Sequence, residues 1–420
     1  MKPTFKLHCE FVKRYKVKHE YVNRSDKDIE LWFSLPRESQ AQRNISFISL
    51  PTPAHVDRHP FLNTVHYYVV KPKEELLISY EFDGYSVSLV SDKAEDTVNL
   101  SAEERDYYLR STPITPTSQE LRLEAEHIIS STDDKIEIGR KLFHHILKSY
   151  RYSTNFAERG VPSFREKKKG DCGEFAGLFI SYCRSLGIPS RMMVGAWAKG
   201  KTQAHAWCEF YVENIGWIPV DISAASMLKN PLRNISGVTT YGMYSKKKKY
   251  FGSLEGKRIA FSIDINRLLI PVYKNNKDYD NSFPLFKVGD RMLAWGQESI
   301  DGTAPYMQPM YVRLNCSMKK LENEAVLGKW KVTEPMVSQI FLSLKNISLT
   351  MGLILMLIPI IVTNFFGTFP ITLWFNLIST VFFLLFVTIS IFRREKNIFV
   401  IVLGVLFVFS FMGTISEIYL

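Results

Sequence analysis

Residues 170–195 read GDCGEFAGLFISYCRSLGIPSRMMVG. Phe175, Phe179, Tyr182, Cys183 and Leu186 recur at steps of three and four, which predicts a helix over 172–186 with one buried stripe. Asp171 stands at the N-cap position with Glu174 three residues on, a capping-box pattern. Gly187 stops the helix and Pro189 follows. Cys172 therefore falls in the first turn, where unpaired N–H groups and the positive dipole end favour a thiolate and can hold an oxyanion. Asp171 and Glu174 oppose that thiolate, so a neighbouring histidine carries more weight than the dipole. Cys183 lies three helical turns further along the same stripe, about 16 Å away at 1.5 Å per residue. It reads as a packing residue.

The next informative stretch is 202–223, TQAHAWCEFYVENIGWIPVDIS. Alternation puts His205, Trp207, Glu209 and Tyr211 on one strand face and Ala206, Cys208, Phe210 and Val212 on the other. Cys208 then points away from His205 and drops out as a site residue. A short loop around Glu213, Asn214 and Ile215 turns the chain into GWIPVD as a hairpin. If the turn centres near Asn214, His205 falls within about two register positions of Asp221, in reach of its carboxylate. A cysteine at a helix start, a histidine base and an orienting carboxylate make up the parts list of thiol catalysis.

The blocks GDCGEFAGLFISYCRSLGIPSRMMVG and HAWCEFYVENIGWIPVD resemble the core of the transglutaminase-like superfamily. That family pairs a Cys-opened helix ending in "LGIP-R" with a strand beginning "HAW" and a hairpin closed by "GW-P-D". The resemblance is strong over about 130–225 and weaker over 1–100, which is similar to the β-rich region preceding such domains in bacterial members. YFGSLEGKRIAFSIDIN, from residue 250, resembles a strand segment that follows the core there. The resemblance implies a papain-like fold with Cys172 as nucleophile, His205 as base and Asp221 as orienting acid. Family members include cross-linkers, thiol proteases and amidases, deglycosylating enzymes and inactive scaffolds.

Outward from this core, the expected class is α+β. Seven short segments before residue 100, from FKLHCEFV to YSVSLVS, are rich in aromatic and β-branched residues and alternate with turn clusters. They predict an antiparallel β-sandwich over 1–110. The stretch RSTPITPTS then breaks the pattern. A transglutaminase-like domain is expected over 118–340, with helices in SQELRLEAEHIIS and DDKIEIGRKLFHHILKSY. His144 and His145 there read as core-edge or surface residues.

After residue 345 the sequence turns apolar. Three spans are expected within 346–420: Ile347–Val362 with Phe365 and Phe366, Ile371–Phe392, and Ile398 to about Ile415. The loop RREK between the second and third favours the cytoplasm, and the N-terminus lacks the apolar core of a signal peptide. The expected location is the cell membrane, multi-pass, with the soluble region cytoplasmic. The net charge of +11 fits an anionic membrane surface better than nucleic acid, because no nucleic-acid motif accompanies the lysines. Lys167–Lys169 and Lys246–Lys249 read as solvated faces or lipid-headgroup contacts. Five cysteines without a CxxC or Cys/His cluster predict free thiols, no disulfide framework and no metal. No cofactor is expected. The expected partners are a protein or peptide substrate and membrane lipids. A catalytically inactive membrane scaffold is the alternative.

Overall fold

The computed structural model describes residues 5–92, 99–130, 132–154, 158–201, 204–274, 285–288, 291–294, 300, 302–313, 328–333, 336–367, 370–393 and 398–419. In chain order the first strands are β1 (Phe5–Val22), β2 (Ile29–Ser34), β3 (Gln42–Ser49), β4 (His55–Asp57), β5 (Val65–Val70) and β6 (Glu75–Ser91). Helices α1 (Ala102–Tyr107), α2 (Gln119–Ile129) and α3 (Lys135–Ser149) follow, then β7 (Arg151–Tyr152), α4 (Val161–Lys167), β8 (Lys169–Gly170) and α5 (Cys172–Ser185). Next come β9 (Ser190–Trp197), β10 (Gly200–Lys201), β11 (Ala204–Val212), β12 (Gly216–Val220), α6 (Ile222–Met227) and α7 (Pro231–Ser236). The soluble part ends with β13 (Ser253–Leu254), β14 (Arg258–Ile263), β15 (Arg267–Leu268), β16 (Leu285–Val288), β17 (Arg291–Ala294), β18 (Thr303–Ala304), β19 (Met310–Arg313) and β20 (Lys329–Thr333). The fold is α+β with antiparallel sheets, as its sequence implies.

The chain divides into two compact units, Met1–Thr333 and Glu334–Leu420. In the first, β1 and β6 are far longer than the short strands expected. The segments FKLHCEFV and KHEYVN fuse into one strand, as do ELLISYEF and YSVSLVS. Gly84 sits in the middle of β6, where it reads as a break. It is needed for close approach instead: a Cβ there would lie 2.6 Å from the Tyr15 ring and 2.9 Å from the Gly256 carbonyl oxygen. The charged middle of β1 is tolerated because Arg14 pairs across the ladder with Glu81 and Asp83.

This length lets one strand pair serve two cores. Tyr21 of β1 with Leu76 and Ile78 of β6 packs on Leu31, Phe33 and Tyr68, from the sheet ordered β19-β2-β5-β4. Tyr15 and Val17 with Tyr80 and Phe82 pack on Ala196, Ile259 and Phe261, from the sheet ordered β12-β11-β9-β14. Strands β19 and β20, from residues 310–333, join sheets begun by β2 and β1.

The β12-β11-β9-β14 sheet carries α5. Its third core packs Phe175, Phe179, Tyr182 and Cys183 of α5 with Leu142, Phe143 and Ile146 of α3 and Phe210 of β11. All eight residues of β9 are buried. At its centre Gly195 faces β14, and a Cβ there would lie 2.0 Å from the Ile259 carbonyl oxygen, beside the bulge between Ala260 and Ser262. Gly195→Ala is expected to cost about 3 kcal/mol by overpacking, read as a lower denaturant midpoint of the full chain in detergent. A loss below about 1 kcal/mol would mean that β14 moves aside freely.

The second unit contains α8 (Met336–Phe366, with Pro359 inside), α9 (Ile371–Phe392) and α10 (Ile398–Tyr419). Within them Ile340–Phe365 and Ile371–Phe392 are long and apolar enough to cross a membrane. Gly352 lets the Phe383 ring approach α8, Ser379 donates to the Gly352 carbonyl at 2.8 Å, and Phe383 stacks on Phe407 of α10 at 4.2 Å. Arg394, Glu395 and Lys396 of the RREK loop, and Cys316, lie outside the described residues.

Candidate active site

Helix α5 starts as its sequence dictates. The Gly173 N–H donates to Asp171 Oδ1 at 2.9 Å, and Glu174 Oε2 accepts from the Asp171 N–H at 3.2 Å, closing the capping box. A residue that sequence reasoning missed balances these two carboxylates. Arg159 Nη1 donates to Asp171 Oδ2 at 2.6 Å and to Glu174 Oε2 at 3.1 Å. Burial and the Asp171 charge push Glu174 up to about 8, whereas Arg159 helps hold Asp171 low against its own burial. The pair therefore opposes a thiolate at Cys172 less than two free carboxylates would.

Cys172 is the first residue of α5 and is partly accessible. The Ala206 backbone amide is near enough to act on its thiol, which sets Cys172 close to β11, one residue from His205. Burial, then Asp171, push its thiol well up, while the Ala206 N–H and Arg159 pull it down. Tyr306 closes one side: a Cβ on Gly173 would lie 3.1 Å from Tyr306 Oη, close enough that the ring would have to give by a few tenths of an ångström. Cys183 and Cys208 are buried in the core around α5, and burial raises both thiols.

The hairpin turns where its loop length predicts. Asn214 adopts φ 62°, Gly216 φ 98°, and Cys208 pairs with Val220. That register brings His205 Nε2 to 2.7 Å from Asp221 Oδ2, with the two residues 3% and 1% exposed. Asp221 caps α6, its Oδ1 accepting from the Ala224 N–H and Ser223 Oγ, each at 2.8 Å. Its Oδ2 also accepts from Arg258 Nη1 at 2.5 Å. Burial would raise Asp221, but His205 and Arg258 outweigh it and hold the carboxyl far below the usual range. The imidazole lies against Trp197, with centroids 5.0 Å apart and planes 27° apart. Arg258 sits 4.4 Å from the same indole and is forked onto Glu255 at 3.0 and 3.2 Å. Trp197, Glu255 and Arg258 were also missed by sequence reasoning. The only signal for Arg258 lay in the strand segment after the core, where it is one charge among several.

Residues 124–222 match the family model described as the transglutaminase-like superfamily. An uncharacterized protein from Haemophilus influenzae is 21% identical over 183 residues, 37% of this chain and 49% of that protein, so the chain spans about half the length of this curated relative. A solved Cytophaga hutchinsonii protein, provisionally named a cysteine protease, aligns over 78% of this chain and 100% of its own with 14% identity and a TM-score of 0.43. Red sea bream transglutaminase aligns over 50% of this chain and 48% of its own with 13% identity and a TM-score of 0.23. The Cys-opened helix and the His–Asp hairpin both lie within residues 124–222, which form a transglutaminase-like core in this chain.

Proposed function

We propose that the chain is a membrane-anchored thiol acyl-transfer enzyme, with Cys172 as nucleophile, His205 as base and Asp221 as the acid that orients the ring. The observation that carries this reading is the buried 2.7 Å hydrogen bond between His205 and Asp221, on the hairpin whose Ala206 amide acts on the Cys172 thiol. An ionised carboxylate only accepts, so the ring donates from Nε2 and Nδ1 remains to exchange a proton with the thiol. Because the thiol is held up, the proton leaves as attack proceeds: Sγ bonds to the carbonyl carbon while His205 takes the proton. The Cys172 backbone N–H, in the first turn of α5, faces the developing oxyanion. His205 then protonates the departing amine and a thioester remains. Water resolves it to an acid, or a second amine to a new amide. Hydrolysis of a peptide or amide is the preferred outcome, since water needs no second binding site.

Anchoring rests on the two membrane-length helices; with the third span that the sequence predicts from Ile398 to about Ile415, the reading is a multi-pass protein of the cell membrane. The positive charges after α9, Arg393 first, support a cytoplasmic side for the Met1–Thr333 unit. Protease digestion of sealed cells tests this: cleavage of that unit from outside would reverse the orientation.

An electrophilic peptide-amide probe is expected to label Cys172 in the full chain in detergent. Cys172→Ala abolishes the adduct, and His205→Ala slows it by about 10²-fold or more. Labelling that is unchanged in His205→Ala, at the rate of Cys183 in the denatured chain, would remove the catalytic reading. One observation favours a second reading, the inactive membrane scaffold: burial and Asp171 both hold the Cys172 sulfur protonated.

A further inference from the structure

Two stretches next to the proposed nucleophile contain no acidic residue. Residues 138–157 carry Arg140, Lys141, Lys148 and Arg151, and residues 222–254 carry Lys229, Arg233 and the run Lys246–Lys249. The fold brings them together: α6 packs on α3 and on β7, and the Lys229 ammonium donates to the Leu147 carbonyl. Parallel pairing of β7 with β8 sets Arg151 opposite Lys169, two exposed cations in register, an arrangement that costs energy without an anion between them. Burial and the charges of Lys247 and Arg151 push the Lys229 ammonium down. The same pairing sets Tyr152 beside Gly170, two residues before Cys172, and the Arg233 guanidinium lies 6.0 Å from the Tyr152 ring. On the histidine side, Tyr241 lies 5.8 Å from Trp197, and the Lys199 ammonium 5.9 Å from Tyr241. An ordinary solvated surface intersperses both signs of charge. Here two stretches beside the sulfur carry positive charge alone, while the adjacent Asp171 and Glu174 are taken up by Arg159.

From this placement, and resting on the acyl-transfer reading, we infer that Arg151, Lys169, Lys229 and Arg233 bind an acidic segment of the polypeptide substrate and hold it across the Cys172 mouth. Carboxylates of that segment pair with the cations while its backbone passes between Tyr152 and Tyr241 to the sulfur. A polypeptide is favoured over a lipid headgroup because Arg151 and Lys169 flank the Tyr152–Gly170 pair, two residues before the proposed nucleophile. A membrane-facing patch requires no such coincidence.

The test is fluorescence anisotropy on the full-length Cys172→Ala chain in nonionic detergent, so that binding is read without turnover. A glutamate-rich peptide is expected to bind at least about tenfold more tightly than its glutamine counterpart, with affinity falling as salt rises. Arg151→Glu with Arg233→Glu removes that preference, and Lys27→Glu, on the loop between β1 and β2, leaves it intact. Should the charge reversals prevent folding, Arg151→Gln with Arg233→Gln reports the same loss in smaller degree. Equal binding of the two peptides, or a preference that survives both pairs of substitutions, overturns the proposal. So does binding to phosphatidylserine vesicles without any peptide preference, which assigns the face to lipid. A wild-type chain that binds the acidic peptide yet forms no adduct with the electrophilic probe keeps the acidic-ligand site and removes the acyl-transfer reading.

Discussion

Replacing Arg258 with leucine is expected to lower the stability of the Met1–Thr333 unit by roughly 3–5 kcal/mol, the range for breaking a buried ion pair by removing one partner. The guanidinium is buried and serves two buried carboxylates, Asp221 through Nη1 and Glu255 through Nε and Nη2. Leucine fills much of the volume but supplies no charge. Asp221 keeps His205, Ser223 and the Ala224 N–H, and Glu255 keeps the Tyr250 hydroxyl at 3.2 Å, so neither is stranded, yet both lose their cation. Arg258→Lys separates charge from geometry, because an ammonium cannot fork onto Glu255 while reaching Asp221. It should recover only part of the loss. In a double-mutant cycle, Glu255→Gln in the Arg258→Leu background removes one uncompensated carboxylate and restores part of the stability. Chemical denaturation of the full chain in detergent gives the values. A cost for Arg258→Leu below about 1 kcal/mol would show that solvent, not Arg258, balances these carboxylates.

The contrast between this arginine and the residues it holds explains what the sequence could disclose. Helix α5 is specified within its own span: cap, acid three residues on, apolar stripe and stop glycine all lie between Asp171 and Gly187, and the helix runs Cys172–Ser185. The offset between His205 and Asp221 is likewise set by one loop length. Arg258 approaches Asp221 from 37 residues away, and nothing in EGKR tells which cation turns inward. Arg159 is one basic residue in a loop until the fold sets it beside Asp171. The length of β1 and β6 was hidden for a related reason. Gly84 and the charged run near Arg14 weaken a strand taken alone, and only the Tyr15 ring and the cross-strand carboxylates make them fit. Strands β19 and β20 join β2 and β1 from hundreds of residues away, a pairing that no local pattern encodes.

Acidification is expected to weaken the fold through His19, and His19→Phe should remove much of that sensitivity. His19 is 1% exposed, neither ring nitrogen has a hydrogen-bond partner among the described residues, and Phe33, Tyr80, Phe261 and Trp330 surround it. Burial holds its pKa down to about 3, against 6.5 for the free side chain. Between those two values the unfolded chain binds the proton and the folded chain does not, so stability falls as pH falls. This contribution is fully present above about pH 6.5 and is lost progressively toward pH 3, for a total of roughly 5 kcal/mol at about 1.4 kcal/mol per pH unit. His59, His66, His144 and His145 are also held low by burial, but they are common to both chains and cancel in the difference. Phenylalanine keeps the ring in the aromatic box and removes two unsatisfied nitrogens, so at pH 7.5 the variant should be at least as stable as the parent. By pH 4 the gap should widen by several kcal/mol, read from denaturant midpoints of the full chain in detergent at each pH. Stability curves that stay parallel from pH 7.5 to pH 4 would mean that the His19 pocket admits water and a proton at little cost.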